Sequence, residues 1–174
     1  MRKNATLLLL LAISFIGCSQ SSTANKNSQA PATQANLEAK DTEGNSALLR
    51  AVNSGDTNEV RRLVEAGADV NSASNSGVTP LMNASGMGNK EAVEFLIKKG
   101  ADVNHKTSGN YTALMQAALV GQTEIVKILL EAGADPTVKD AGGRTAIAYA
   151  QEQKHEEIAQ LLKQKLGAQS AGKN

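Results

Sequence analysis

Glycine recurs in this chain at a fixed spacing of 33 residues, and that spacing limits the possible folds more than any other feature. Gly67, Gly100 and Gly133 form one series, and Gly55, Gly88 and Gly121 a second. Gly44, Gly77 and Gly143 form a third, with Asn110 in the missing place. Nine of the fifteen glycines are thereby placed. Other residue types keep the register: Ser46, Thr79, Thr112, Thr145; Ala51, Ala84, Ala117, Ala150; Leu63, Leu96, Leu129, Leu162. A strict period of this length implies a small unit that cannot bury its apolar face alone and stacks on copies of itself.

Each unit reads as two helices and a turn. Thr79-Pro80 supplies an N-cap hydroxyl and a proline at the first helical position, where its missing amide costs nothing. Leu81, Ala84 and Ser85 give a short helix ending at Gly88. The second helix begins at Asn89 and carries Val93, Leu96 and Ile97 at helical spacing. It stops at Gly100, which suits a left-handed position. Asp56 followed by Glu59 predicts a capping box on the equivalent helix of the first unit. Asp69 to Ser76 has the Asp, Asn, Ser and Gly content of a turn or hairpin.

The string Gly77-Val78-Thr79-Pro80-Leu81, then alanine, glycine, Val93, Leu96 and Gly100-Ala101-Asp102-Val103-Asn104, resembles the ankyrin repeat. The resemblance implies an all-α solenoid of about four 33-residue helix-turn-helix units with β-turn or hairpin connections. The domain spans 34–166, with units at 41–73, 74–106, 107–139 and 140–166, and 167–174 is a flexible tail. Residues 35–40 align with 68–73 and look like the closing hairpin strand of a missing earlier unit. Leu49, Met82, Met115 and Ala148 occupy the family's histidine column, so a usual tethering hydrogen bond is absent. That implies a somewhat less rigid array. The segment from His155 to Leu166 is dense in Glu, Gln and Lys and reads as the water-facing C-terminal cap.

Ahead of the repeats lie Arg2, Lys3 and the apolar run from Leu7 to Gly17, interrupted only by Ser14. A spanning helix needs about 20 such residues, so residues 1–17 read as a cleaved signal peptide. The run ends Phe15-Ile16-Gly17-Cys18, which resembles the bacterial lipobox; the resemblance implies that Cys18 carries the lipid. Each buried acyl methylene contributes about 0.8 kcal/mol, so several chains on one cysteine hold firmly to a membrane. Ser19 after the cysteine, by the enteric resemblance, points to the outer membrane, with the protein facing the periplasm or the surface. Residues 18–33 are poor in bulky apolar side chains and read as a disordered tether.

Composition excludes several functions. The formal net charge is +1, and it becomes −1 once Arg2 and Lys3 leave with the signal. With aromatics at 2% and no tryptophan, neither a basic nor a base-stacking nucleic-acid surface is expected. One cysteine permits neither an internal disulfide nor a paired-cysteine metal site. Asp69, Asp102 and Asp135 recur, but their spacing puts each in a different layer, which fits turn hydrogen bonding rather than a calcium shell. His155 reads as a structural cap, and His105 as a turn residue with no obvious partner. No catalytic residues, metal site, cofactor or small-molecule substrate are expected.

Protein binding remains. In ankyrin proteins, partners usually dock on hairpin tips and the exposed ends of first helices. Carried across residue by residue, the tips include Asn45, Asn75, Ser76, Val78, Tyr111 and Arg144. The helix ends include Asn53, Ser54, Met87, Leu119, Val120 and Glu152. Val78, Met87, Tyr111, Leu119 and Val120 would form an apolar partner-binding patch within a polar rim; alternatively, Leu119 and Val120 pack against the neighbouring unit. The expectation is a monomeric, non-catalytic envelope lipoprotein that acts as a scaffold or adaptor for another protein. The alternative is a soluble periplasmic accessory or inhibitor that protects or silences an enzyme.

Overall fold

The computed structural model describes residues 37–171, all within the chain's second unit, 31–174. Among these residues there are eight helices and no strand. They fall in pairs: α1 (Ala47–Asn53) with α2 (Thr57–Glu65), α3 (Pro80–Met87) with α4 (Lys90–Lys98), α5 (Ala113–Val120) with α6 (Thr123–Glu131), and α7 (Ala146–Glu152) with α8 (Glu156–Ala171).

The helix starts follow from the periodic hydroxyls. Ser46, Thr79, Thr112 and Thr145 each accept the amide of the residue three further on, at Leu49, Met82, Met115 and Ala148. Pro80 sits in the first turn of α3, as its fixed φ favours. Gly88 and Gly121 close α3 and α5 in the left-handed conformation, at φ +70° and +88°. The capping box at α2 forms only half-way. Asp56 accepts the Glu59 amide, but the Glu59 carboxylate turns outward and takes the Arg62 guanidinium at 2.6 and 2.7 Å. The Asp56 amide is already committed to the Ala51 carbonyl, so Glu59 has no donor to reach back for.

The first helices of successive pairs pack more extensively than the second helices do. The alanine column explains it: Ala84, Ala117 and Ala150 are wholly buried and Ala51 nearly so, and methyl side chains let helix backbones approach closely. Val93, Leu96, Val126, Leu129, Ile158 and Leu162 of the second helices fill the space behind them. One continuous core of aliphatic side chains runs from Leu37 to Leu162. Rings are nearly absent from it, with Phe95 and Tyr149 the exceptions among the described residues.

Side-chain staples tie unit to unit. The Asn71 side chain donates to the Gly100 carbonyl (3.2 Å) and accepts the Asp102 amide (2.8 Å). Asn104 repeats this one layer on, with Gly133 (3.0 Å) and Asp135 (2.8 Å). Asp69, Asp102 and Asp135 each accept the amide two residues later, at Asn71, Asn104 and Thr137, so all three carboxylates shape their own turns.

Two expectations need correcting. The 35–40 vestige is not a strand over its described part: residues 37–38 are helical, and Leu37 is buried in the core. Its alignment with the half-buried Val70 and Val103 holds, so its core-facing position was legible although its backbone was not. The tips are tight turns, one of the two forms expected, each closed by a backbone bond such as Ser74 N–H to the Val78 carbonyl (2.9 Å). The last helix runs through Gly167 to Ala171, so part of the tail assigned to 167–174 is helical. One glycine costs a helix only about 1 kcal/mol, and no proline follows to stop it.

Candidate partner-binding surface

The tips are built by one repeated device. Asp41, Ser74, Thr107 and Asp140 stand 33 residues apart, and each side chain accepts the amide four residues on. Those amides belong to Asn45, Val78, Tyr111 and Arg144, the column read as tip contacts. The acceptor therefore fixes the residue that displays the variable side chain.

The five residues expected to form the apolar patch separate into two groups. Met87 and Val120 are the exposed large apolar side chains, 49% and 46% accessible, at equivalent ends of α3 and α5. Val78, Tyr111 and Leu119 are half-buried and pack on the core. Leu119 is half-buried against the core, whereas Val120 faces solvent. Beside Met87 lies an open notch lined by Asn53, Asn83, Gly86 and Gln116. The Asn83 side-chain amide donates to Asn53 Oδ1 at 2.6 Å. Gly86 leaves the floor low because a Cβ there would meet the Gln116 amide nitrogen at 2.7 Å. The notch carries no ionisable side chain.

At the far end of the tip row lies a cluster that sequence reading missed. Asp140 accepts the Gly142 and Arg144 amides on Oδ1, at 2.9 and 2.8 Å. Its Oδ2 accepts the Tyr149 phenol (2.5 Å) and both Nε and Nη2 of Arg144 (3.2 and 3.1 Å). The Arg144 guanidinium also lies 4.4 Å from the centre of the Tyr149 ring, and Tyr111 meets that ring edge-on at 5.4 Å. The Tyr149 phenol, with the Arg144 and Gly142 donors, holds the Asp140 carboxyl down to about 2. Burial, reinforced by Asp140, pushes the Tyr149 phenol up to about 12, and burial also carries Tyr111 to about 12. The signal was in the columns. Tyr149 is aromatic where Arg50, Asn83 and Gln116 are polar, and it follows the Asp140 tip acceptor by nine residues.

Both histidines lie against glycines. His155 lies against Gly121, where a Cβ would meet its ring at 2.6 Å. His105 is half-buried and does have a partner, the Gly77 carbonyl of the preceding tip, at 3.2 Å from Nε2. A carbonyl only accepts, so that nitrogen carries the proton. Among the described residues no three His, Cys, Asp or Glu side chains gather as a metal-holding group, and no helix is long and apolar enough to cross a membrane. Cys18 lies outside the described residues.

A family model described as ankyrin repeats (3 copies) matches residues 9–107, and one described as ankyrin repeats (many copies) matches residues 96–150. The first match begins inside the apolar N-terminal run, ahead of the described residues. No curated protein matches the chain.

Proposed function

The chain belongs to the ankyrin-repeat family, whose members generally act by contact with other proteins, and from that premise we propose a non-catalytic adaptor at the bacterial cell envelope. In this reading the signal 1–17 is removed, Cys18 is lipidated, and residues 18–33 hold the array away from the outer membrane. The partner-binding surface centres on Met87 and Val120, backed by Val78, Tyr111 and Leu119.

One observation supports the surface above all. Among the described residues no other large apolar side chain is exposed, yet two adjacent units place one at the same position. Their exposed halves forgo roughly 1 kcal/mol of burial per side chain, which a partner recovers on docking. The amides of Asn83 and Gln116 beside Met87 offer hydrogen bonds without charge.

The test uses the full chain expressed in its own envelope. Met87→Asp with Val120→Asp, both exposed positions, should leave the thermal midpoint unchanged and remove one co-purifying protein. An identical partner profile would refute the assigned surface. Cys18→Ala addresses the anchor separately: a lipoprotein loses its acyl label and leaves the membrane fraction. A chain that is soluble before and after that substitution is instead the periplasmic accessory.

A further inference from the structure

The sequence has methionines at positions 82, 87 and 115 within the described residues, and the fold treats them very differently. Met82 and Met115 are 3% and 1% accessible and belong to the core cluster, with their backbone amides committed to Thr79 and Thr112. Met87 is 49% accessible. It is the last residue of α3, before the left-handed Gly88, and its methyl end reaches toward Gly55 of the preceding unit, where a Cβ would lie 3.8 Å away. Glycine at 86 leaves an open notch beside the thioether.

We propose that Met87 is an oxidative modification site, at which a peroxide converts the thioether to the sulfoxide and so switches the exposed apolar pair off. The step is an oxygen-atom transfer. A sulfur lone pair attacks the distal peroxide oxygen, the O–O bond breaks, and the S–O bond forms. The proton on the transferred oxygen passes through water to the proximal oxygen, which leaves as water or alcohol; sulfur is oxidised by two electrons, and the peroxide is reduced by the same two. No residue of the chain has to donate or accept an electron.

Accessibility gives the selectivity. A peroxide reaches Met87 in the folded chain, but reaches Met82 and Met115 only when the stacked units open. The product is polar and a strong hydrogen-bond acceptor, at the position where apolar contact matters most. Because Met87 contributes to no core contact, the fold persists and only the surface changes. The modification site stands on geometry alone; its effect on docking rests on the surface proposed above.

The experiment treats the full purified chain with graded hydrogen peroxide and follows each methionine by fragment mass spectrometry. Met82 and Met87 share the tryptic peptide 63–90, so the added oxygen must be located by backbone fragmentation. Expected is oxidation at Met87 at least ten times faster than at Met82 or Met115, with no change in the thermal midpoint. Equal rates at all three would overturn the site. Retention on a hydrophobic-interaction matrix should fall for oxidised wild type and not for Met87→Leu after the same treatment. Envelope capture then compares these two proteins. Loss of the partner from oxidised wild type, with retention by peroxide-treated Met87→Leu, supports the switch. Equal capture by both overturns the switch while leaving the surface reading intact, whereas an unchanged profile for Met87→Asp with Val120→Asp refutes that reading itself.

Discussion

The Tyr149 phenol donates to the Asp140 carboxylate at 2.5 Å, joining the last tip to the helix behind it across nine residues. Asp140 is the one tip acceptor that also holds a guanidinium and a phenol; Ser74 and Thr107 hold backbone amides in their layers. The network therefore fixes the direction of Arg144, a tip side chain, and through the 5.4 Å ring contact that of Tyr111.

Removing the Tyr149 hydroxyl should loosen this end of the array without unfolding it. Tyr149→Phe keeps the ring, the Tyr111 contact and the guanidinium stacking, and deletes one donor to a carboxylate. The thermal midpoint should fall by about 3–6 °C. The Arg144 side chain should gain mobility, measurable by NMR relaxation of its Nε–H. An unchanged midpoint and an unchanged Arg144 would show that the phenol contributes nothing.

Acid should find the same cluster. Asp140 is held at about 2 in the fold against an ordinary value of 3.8. A depressed carboxyl favours the folded state above its unfolded pKa and loses that advantage as pH falls through the folded one. The stability gap between wild type and Asp140→Asn should hold steady above pH 4 and shrink between pH 4 and 2. Urea unfolding at a series of pH values reads the gap, and a gap that stays flat through this window would remove Asp140 from the account.

The alkaline limb has the opposite sign. Tyr111 and Tyr149 are the only tyrosines, and both are raised from 10.0 to about 12. A raised phenol stabilises the fold below its unfolded pKa and ceases to as pH climbs through the folded value. Tyrosinate absorbance should therefore stay low past pH 10, then rise steeply near 12 together with loss of helix. Ionisation of either phenol at pH 10 in a chain still folded would contradict their burial.

The inter-unit staples make a local prediction. Asn104→Ala removes the bond to the Gly133 carbonyl and the acceptor for the Asp135 amide. Both bonds are exposed, so the cost should be about 1–2 kcal/mol. Hydrogen exchange at the Asp135 amide should speed up, while the equivalent Asp102 amide, held by Asn71, keeps its rate. Equal acceleration at both would mean that the staple acts on the whole array.

What the sequence made legible was whatever recurs. The N-cap hydroxyls, the alanine seam and the left-handed glycines follow from a column at one period, because identical local geometry demands the same residue type each time. Met87 was expected at an exposed helix end, whereas Val120 was left open between docking and packing on the neighbouring unit. What stayed hidden belongs to single layers. Tyr149 meets Asp140 once, His105 finds the Gly77 carbonyl once, and Glu59 prefers Arg62 to the reciprocal half of its capping box. A column describes what every unit shares, and these contacts depend on which two unlike residues the stacking brings together. The end of the last helix is a similar case, since Gly167 after Leu166 reads as a stop and the helix nevertheless continues to Ala171.

Two glycines from different columns separate backbone strain from neighbour contact. Gly133 and Gly121 both have positive φ, +91° and +88°, so alanine at either bears the left-handed penalty of roughly 1–2 kcal/mol. A Cβ on Gly133 meets nothing within 4 Å. A Cβ on Gly121 meets the His155 ring at 2.6 Å from Cε1 and 2.8 Å from Nε2, so one of the two must move. Gly121→Ala should accordingly destabilise the chain by more than Gly133→Ala, by roughly 1 kcal/mol or more. His155→Ala removes the obstacle, so in the double variant the extra cost should vanish and only the backbone part remain. A double-mutant cycle by urea unfolding measures this directly. Coupling near zero would mean that the ring swings aside freely and that His155 does not hold its layer against Gly121.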